Sequence, residues 1–122
     1  MGLIINLLSK VTPKQELKEY HIGIMKYNQK LQPFPMSSFG TPETEHNNNI
    51  FKDRHIEKKE IVFSEYLLKD GSMSLSVYID GLKIGIIYEQ IWVENIRSGA
   101  VDLICPIYKD DGRFHLYAHL KK

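Results

Sequence analysis

Five histidines, one cysteine and several aromatics interleaved with basic residues are the groups in this chain that could do chemistry. His115 and His119 invite a metal reading, but they stand four apart in a segment that alternates like a strand. That spacing separates their Cα atoms by roughly 13 Å. Two ligands on one zinc ion need nitrogens about 3–4 Å apart, given bonds near 2 Å, so no metal site is expected. Cys105 lies in the apolar run 101–108 and reads as a core filler. A single cysteine permits no internal disulfide, and a reducing cytoplasm is the natural setting. Glu65 interrupts an otherwise apolar strand. It either pairs with a basic residue on a neighbouring strand or marks a polar groove. No G-x-S-x-G, P-loop, H-E-x-x-H or paired-cysteine motif occurs, and neither an enzyme nor a cofactor is expected.

The remaining chemistry is stacking and charge. Lys26-Tyr27, Phe63, Tyr66, Lys83, Tyr88 and Arg113-Phe114 set aromatic faces beside cations. On a small β domain, rings stack on the bases of a single strand while Lys and Arg hold its phosphates. Lys26, Tyr27, Lys83, Arg113 and Phe114 are therefore candidate nucleic-acid contacts. Packing is the competing role for every ring, and Phe114 shares its strand face with Leu116 and Leu120. A net charge of +1 argues against a binder dominated by electrostatics but leaves room for a local basic groove.

The elements that must position these residues are mostly strands. Asp70-Gly71, Asp80-Gly81 and Asp111-Gly112 punctuate β-leaning segments at 60–68, 72–79, 82–87, 101–108 and 113–120. Asp-Gly favours tight type I′ hairpins, because Gly adopts positive φ freely and Asp tolerates it. Within 72–79, Met73, Leu75, Val77 and Ile79 face one way and Ser74, Ser76 and Tyr78 the other, the pattern of a half-buried strand. A first strand is expected over 20–27, with Gly23 as a bulge or a close-contact point. Ile91, Trp92, Asn95 and Ile96 have helical spacing within 89–98, with Trp92 as the plug between helix and sheet. Residues 29–59 are broken by prolines and then polar, and read as a long loop with a basic end.

At 122 residues, with 43% hydrophobic and 25% charged side chains, the chain reads as one domain with a modest core. Residues 1–19 are expected to form an N-terminal helical segment. Its stripe Leu3, Ile4, Leu7, Leu8 and Val11 docks on the domain, pairs with a second copy as a homodimer, or touches lipid. Thr12-Pro13-Lys14-Gln15 can cap a second short helix ending near Glu19. The apolar start is too short to span a membrane and lacks a secretion signal's positive flank, so no membrane partner is expected. The expected fold is mainly β with minor α: a small antiparallel β-barrel, closed or partly open, of about six strands and two or three short helices. Closure would remove its exposed edges.

Several of these segments resemble the HIRAN domain family. Ile22-Gly23-Ile24-Met25-Lys26-Tyr27 is similar to the family's first strand, and Ile61-Val62-Phe63-Ser64-Glu65 to its second. The stretch from Leu75 to Gly85 is close to its strand, turn and hydrophobic-Gly signature, and the following helix and terminal hairpin match in order. The resemblance covers residues 20–122 and implies an OB-like barrel that binds single-stranded DNA, with Lys26, Tyr27 and Phe114 at basic and aromatic contact positions. Where the family carries an Asn-Pro-x-Asp stretch that contributes to binding, this chain has Leu67-Leu68-Lys69-Asp70-Gly71. The alternative function is therefore a protein-interaction or self-association module built on the same scaffold.

Overall fold

The computed structural model describes residues 17–37, 41–53 and 60–121. Among these residues, seven strands form one sheet: β1 (Glu19–Ile24), β2 (Gln32–Phe34), β3 (Glu60–Leu67), β4 (Met73–Ile79), β5 (Leu82–Ile87), β6 (Val101–Tyr108) and β7 (Phe114–Leu120). Two helices accompany them, α1 (Pro42–Ile50), which runs into a 3-10 turn at Phe51–Asp53, and α2 (Gln90–Arg97). The strand order is β2-β7-β6-β1-β3-β4-β5. Every neighbouring pair is antiparallel except β1 and β6, which run parallel. The fold is mainly β, and none of the described helices is long and apolar enough to cross a membrane.

The three Asp-Gly dipeptides all turn the chain, but by two different routes. Asp80 and Gly81 both have positive φ, +50° and +82°, which defines the two-residue type I′ turn between β4 and β5. At the other two sites only the glycine is left-handed. Gly71 N donates to Leu68 O and Leu68 N to Ser72 O, and Gly112 N donates to Lys109 O and Lys109 N to Arg113 O. That pattern is a three-residue loop in which Gly ends a type I turn, so the type I′ expectation holds for one turn of the three.

Strand alternation builds the core. Ile22, Ile61, Phe63, Leu75, Val77, Ile84, Ile104, Phe114 and Leu116 are buried in one cluster, joined by Val93 and Ile96 from α2. Ile91 points outward, 68% exposed, so the helical stripe is Val93 and Ile96 rather than one that includes Ile91. Trp92 is half-buried with its ring 4.4 Å from that of Phe34. β4 is buried on both faces, not half-buried as the serines imply: Ser74 and Ser76 are inside, and Ser74 Oγ donates to Tyr66 O at 3.0 Å. Gly23 is a close-contact point, where an added Cβ would stand 3.1 Å from Leu103 Cδ2. β1 ends at Ile24, three residues short of the expected strand, and begins at Glu19, where a helix end was expected. The N-terminal stripe and the Thr12 capping sequence lie outside the described residues.

The segment expected to be a long loop is largely structured and occupies the space between the sheet's two edges. β2 pairs with β7. Three residues later Ser37 forms an antiparallel bridge with Ile86 of β5, with both N–H···O bonds at 2.9 Å. Gly85 permits that approach, since a Cβ there would lie 2.8 Å from Ser37 O and from Met36. Helix α1 is polar and carries no apolar stripe. Thr41 and Thr44 cap it reciprocally and Pro42 opens its first turn. Asn47 Nδ2 donates to Lys83 O, and Asn48 Nδ2 to Ile84 O, while Asn48 Oδ1 accepts from Phe114 N. Amide side chains thus satisfy strand-edge groups that no strand reaches.

Candidate nucleic-acid interface

The outer face of the last hairpin concentrates the exposed chemistry. β7 alternates strictly, burying Phe114, Leu116 and Ala118 and turning His115, Tyr117 and His119 the other way. Their partners across β6 are Ile107, Cys105 and Leu103. Beyond β1, Met25 N donates to Ile104 O at 2.9 Å, which keeps the chain alongside β6. Tyr27 consequently meets Tyr117 edge to face, ring centroids 5.0 Å apart and planes at 72°. Tyr27 stays 54% exposed. Lys109 Nζ donates to Tyr117 Oη at 2.7 Å. Its 5.3 Å from the ring centroid follows from that bond, with the ammonium at the hydroxyl end of the ring.

Next to this pair lies an open groove of about 810 Å³, lined by Met25, Tyr27, Asn28, Gln29, Lys30 and His119. Asn28 shapes its rim by accepting from Lys30 N at 2.9 Å. The lining holds a cation and amides and, among the described residues, no carboxylate. His119 Nδ1 is 2.7 Å from Asp102 Oδ1, and this bond holds the Asp102 carboxyl below its usual range. The hairpin loop is different in character. Asp111 Oδ2 accepts from His115 Nε2 at 2.6 Å and from Arg113 Nε at 3.1 Å. The His115 bond first, then those from Arg113, lower the Asp111 pKa to about 2. Elsewhere, a cavity of about 230 Å³ on the outer side of β1, β3 and β4 is lined by Glu19, Glu60 and Asp80 with His21 and Tyr78. That surface would repel phosphates, so charge favours the groove beside Tyr27.

The structure sorts the five sequence candidates. Tyr27 lines the groove and Lys26 is exposed beside it. Arg113 reaches the start of β7 but faces Asp111. Phe114 is a correction: it is 4% exposed, with its ring packed edge-on against Phe51 and Tyr108, and it offers no open face to a base. Lys83 is a second correction, because it sits on β5, three strands from β1 in the sheet order, and is not brought to Tyr27. Tyr66 and Tyr88 are exposed outside the groove, and Phe63 is fully buried.

Sequence reasoning missed Tyr117, Lys30 and Lys109, and weighed His119 only as a metal ligand. The alternation of 114–120 already set Tyr117 and His119 on the polar face. Lys30 stands in a local turn, with Lys30 N donating to Asn28 Oδ1 and Leu31 N to Asn28 O, and nothing in that turn points to Tyr27 or β7. Glu65 does pair with a base, but Arg97 comes from the end of α2 instead of a strand, donating from Nε at 2.9 Å. Tyr20 Oη and Lys18 N complete the cluster at 2.7 and 3.2 Å.

No family model matches this chain, and no curated protein or solved structure matches it.

Proposed function

We propose that this protein is a non-enzymatic module that binds single-stranded DNA in the groove beside Tyr27. The observation that carries the reading is the exposed Tyr27 set against Tyr117, with Lys109 at one end and Lys30 in the adjoining groove. Stacking on tyrosine faces supplies sequence-tolerant affinity, and the lysines hold the backbone. The likeness of residues 22–27 and 75–85 to HIRAN domains supports the same reading. So does the Ser37–Ile86 bridge, which fits an OB-like barrel whose seam is tied at one point. A fluorescence-anisotropy titration of the full chain with a dye-labelled single strand at low salt tests it. Saturable binding, weakened in Y27A, is expected; no binding to any single strand overturns it.

A second reading, a protein-interaction module, is favoured by exposed apolar side chains near the junction of β3, β4 and α2. Ile91 is 68% exposed, Tyr66 54% and Leu67 48%. Light scattering decides it: a concentration-dependent dimer lost in I91E supports this reading, and a monomer at all concentrations counts against self-association.

A further inference from the structure

The His119–Asp102 pair gives one side chain of the groove lining a defined hydrogen-bonding character. Asp102 is ionised in neutral solution, because its bond with His119 favours the charged carboxylate. A carboxylate can only accept, so the proton between the two groups belongs to His119 Nδ1. In the neutral form of the ring the lone pair is then on Nε2. Nε2 makes no hydrogen bond among the described residues, and His119 is one of the six residues lining the groove that Tyr27 opens onto. Tyr117 and His119 are next-but-one on β7 and so lie about 7 Å apart on one face. A base stacked at the tyrosines therefore has its edge within reach of the imidazole.

Resting on the single-strand reading above, we propose that His119 Nε2 accepts a hydrogen bond from the exocyclic amino group of a bound base, so that the groove prefers cytosine to thymine. Cytosine projects an N4 amino group from its edge, where thymine projects the O4 carbonyl and would set one lone pair against another. Thymine's only N–H donor is recessed between two carbonyls. Asp102 is a positioning residue: it fixes the tautomer and does not itself touch the base. Without it the ring proton can move to Nε2, which turns an acceptor into a donor.

Anisotropy titrations of the full chain with dye-labelled oligo(dC) and oligo(dT) of about ten nucleotides read the preference directly. At neutral pH and low salt, oligo(dC) should bind about three- to tenfold more tightly, the value of one hydrogen bond. H119F should bring the ratio of the two affinities to about one, and D102A should shift the ratio the same way. Nitrogen-15 shifts of the His119 ring should show the proton on Nδ1 in the wild-type protein and a mixture in D102A. Equal binding of both strands by the wild-type protein, or a preference that survives H119F, overturns the inference and leaves the single-strand reading intact. Failure of both strands to bind overturns that reading as well. A ring proton found on Nε2 overturns the inference whatever the strands do.

Discussion

Asn48 Oδ1 accepts the backbone N–H of Phe114 at 2.9 Å, across sixty-six residues of sequence, while the same amide donates to Thr44 O and Ile84 O. One side chain, 1% exposed, therefore fixes a polar helix to β5 at one edge of the sheet and to β7, the strand next to the other edge. N48A leaves a buried N–H and a buried carbonyl without partners. It should cost about 2–4 kcal/mol in urea unfolding. N47A removes one bond, to Lys83 O, and should cost less than half as much.

Gly85 should tolerate no side chain. In G85A the new methyl group meets Ser37 O, a backbone atom that can yield only by giving up its bond to Ile86 N. A loss of about 1–3 kcal/mol is expected from the overpacking. Amide exchange at Ser37 and Ile86 should accelerate well beyond that at Ile61 or Phe63. Unchanged protection of Ser37 would show that the seam does not depend on this contact.

Stability should also fall in acid through Glu65. Burial pushes the Glu65 carboxyl upward, but the bonds from Tyr20, Lys18 N and Arg97 outweigh it and leave the folded pKa below the ordinary glutamate value. A carboxyl depressed in the folded state stabilises above its unfolded pKa, and the contribution disappears as pH falls through the folded one. E65Q should be less stable than wild type at pH 7, and the gap should narrow steadily below about pH 4.5. Urea midpoints measured at stepped pH check this; a gap independent of pH would mean that Glu65 acts by shape alone.

Tyr117 and Phe114, three residues apart, should separate binding from folding. Y117A should weaken single-strand binding by about 1–3 kcal/mol with the fold retained. F114A should cost about 3–5 kcal/mol of stability, because its ring fills the space between Phe51 and Tyr108. Circular dichroism and anisotropy on both variants distinguish these outcomes.

Salt should act weakly. If Lys26, Lys30 and Lys109 supply the phosphate contacts, log K should fall against log salt with a slope of about −2, at roughly 0.7 per contact. D111N, which removes a carboxylate from the hairpin loop, should steepen that slope.

The strands were legible because their physics is local. Five segments bounded by Asp-Gly turns and by 89–98 match β3 to β7 within about a residue at each end. Segment 29–59 was not, although Thr41-Pro42 is the same capping signal as Thr12-Pro13. The reason is that α1 has no apolar stripe to announce it: it is held by Asn47 and Asn48 to backbone groups far away in the chain. Short β2 is defined only by its pairing with β7. The groove was half legible for a similar reason. Tyr27 and the alternation of 114–120 are in the sequence, while their meeting is a product of strand order.

That meeting has a kinetic side. Tyr27 follows β1 and Tyr117 stands on β7, and the two are joined through the parallel pairing of Gly23 and Ile24 with Leu103 and Ile104 of β6. The hairpins from β3 to β5 close over short loops, whereas this pairing must bring together segments some eighty positions apart. The surface that would stack a base is therefore among the last parts of the molecule to be assembled. During synthesis on the ribosome it would stay incomplete until nearly all of the described chain had emerged.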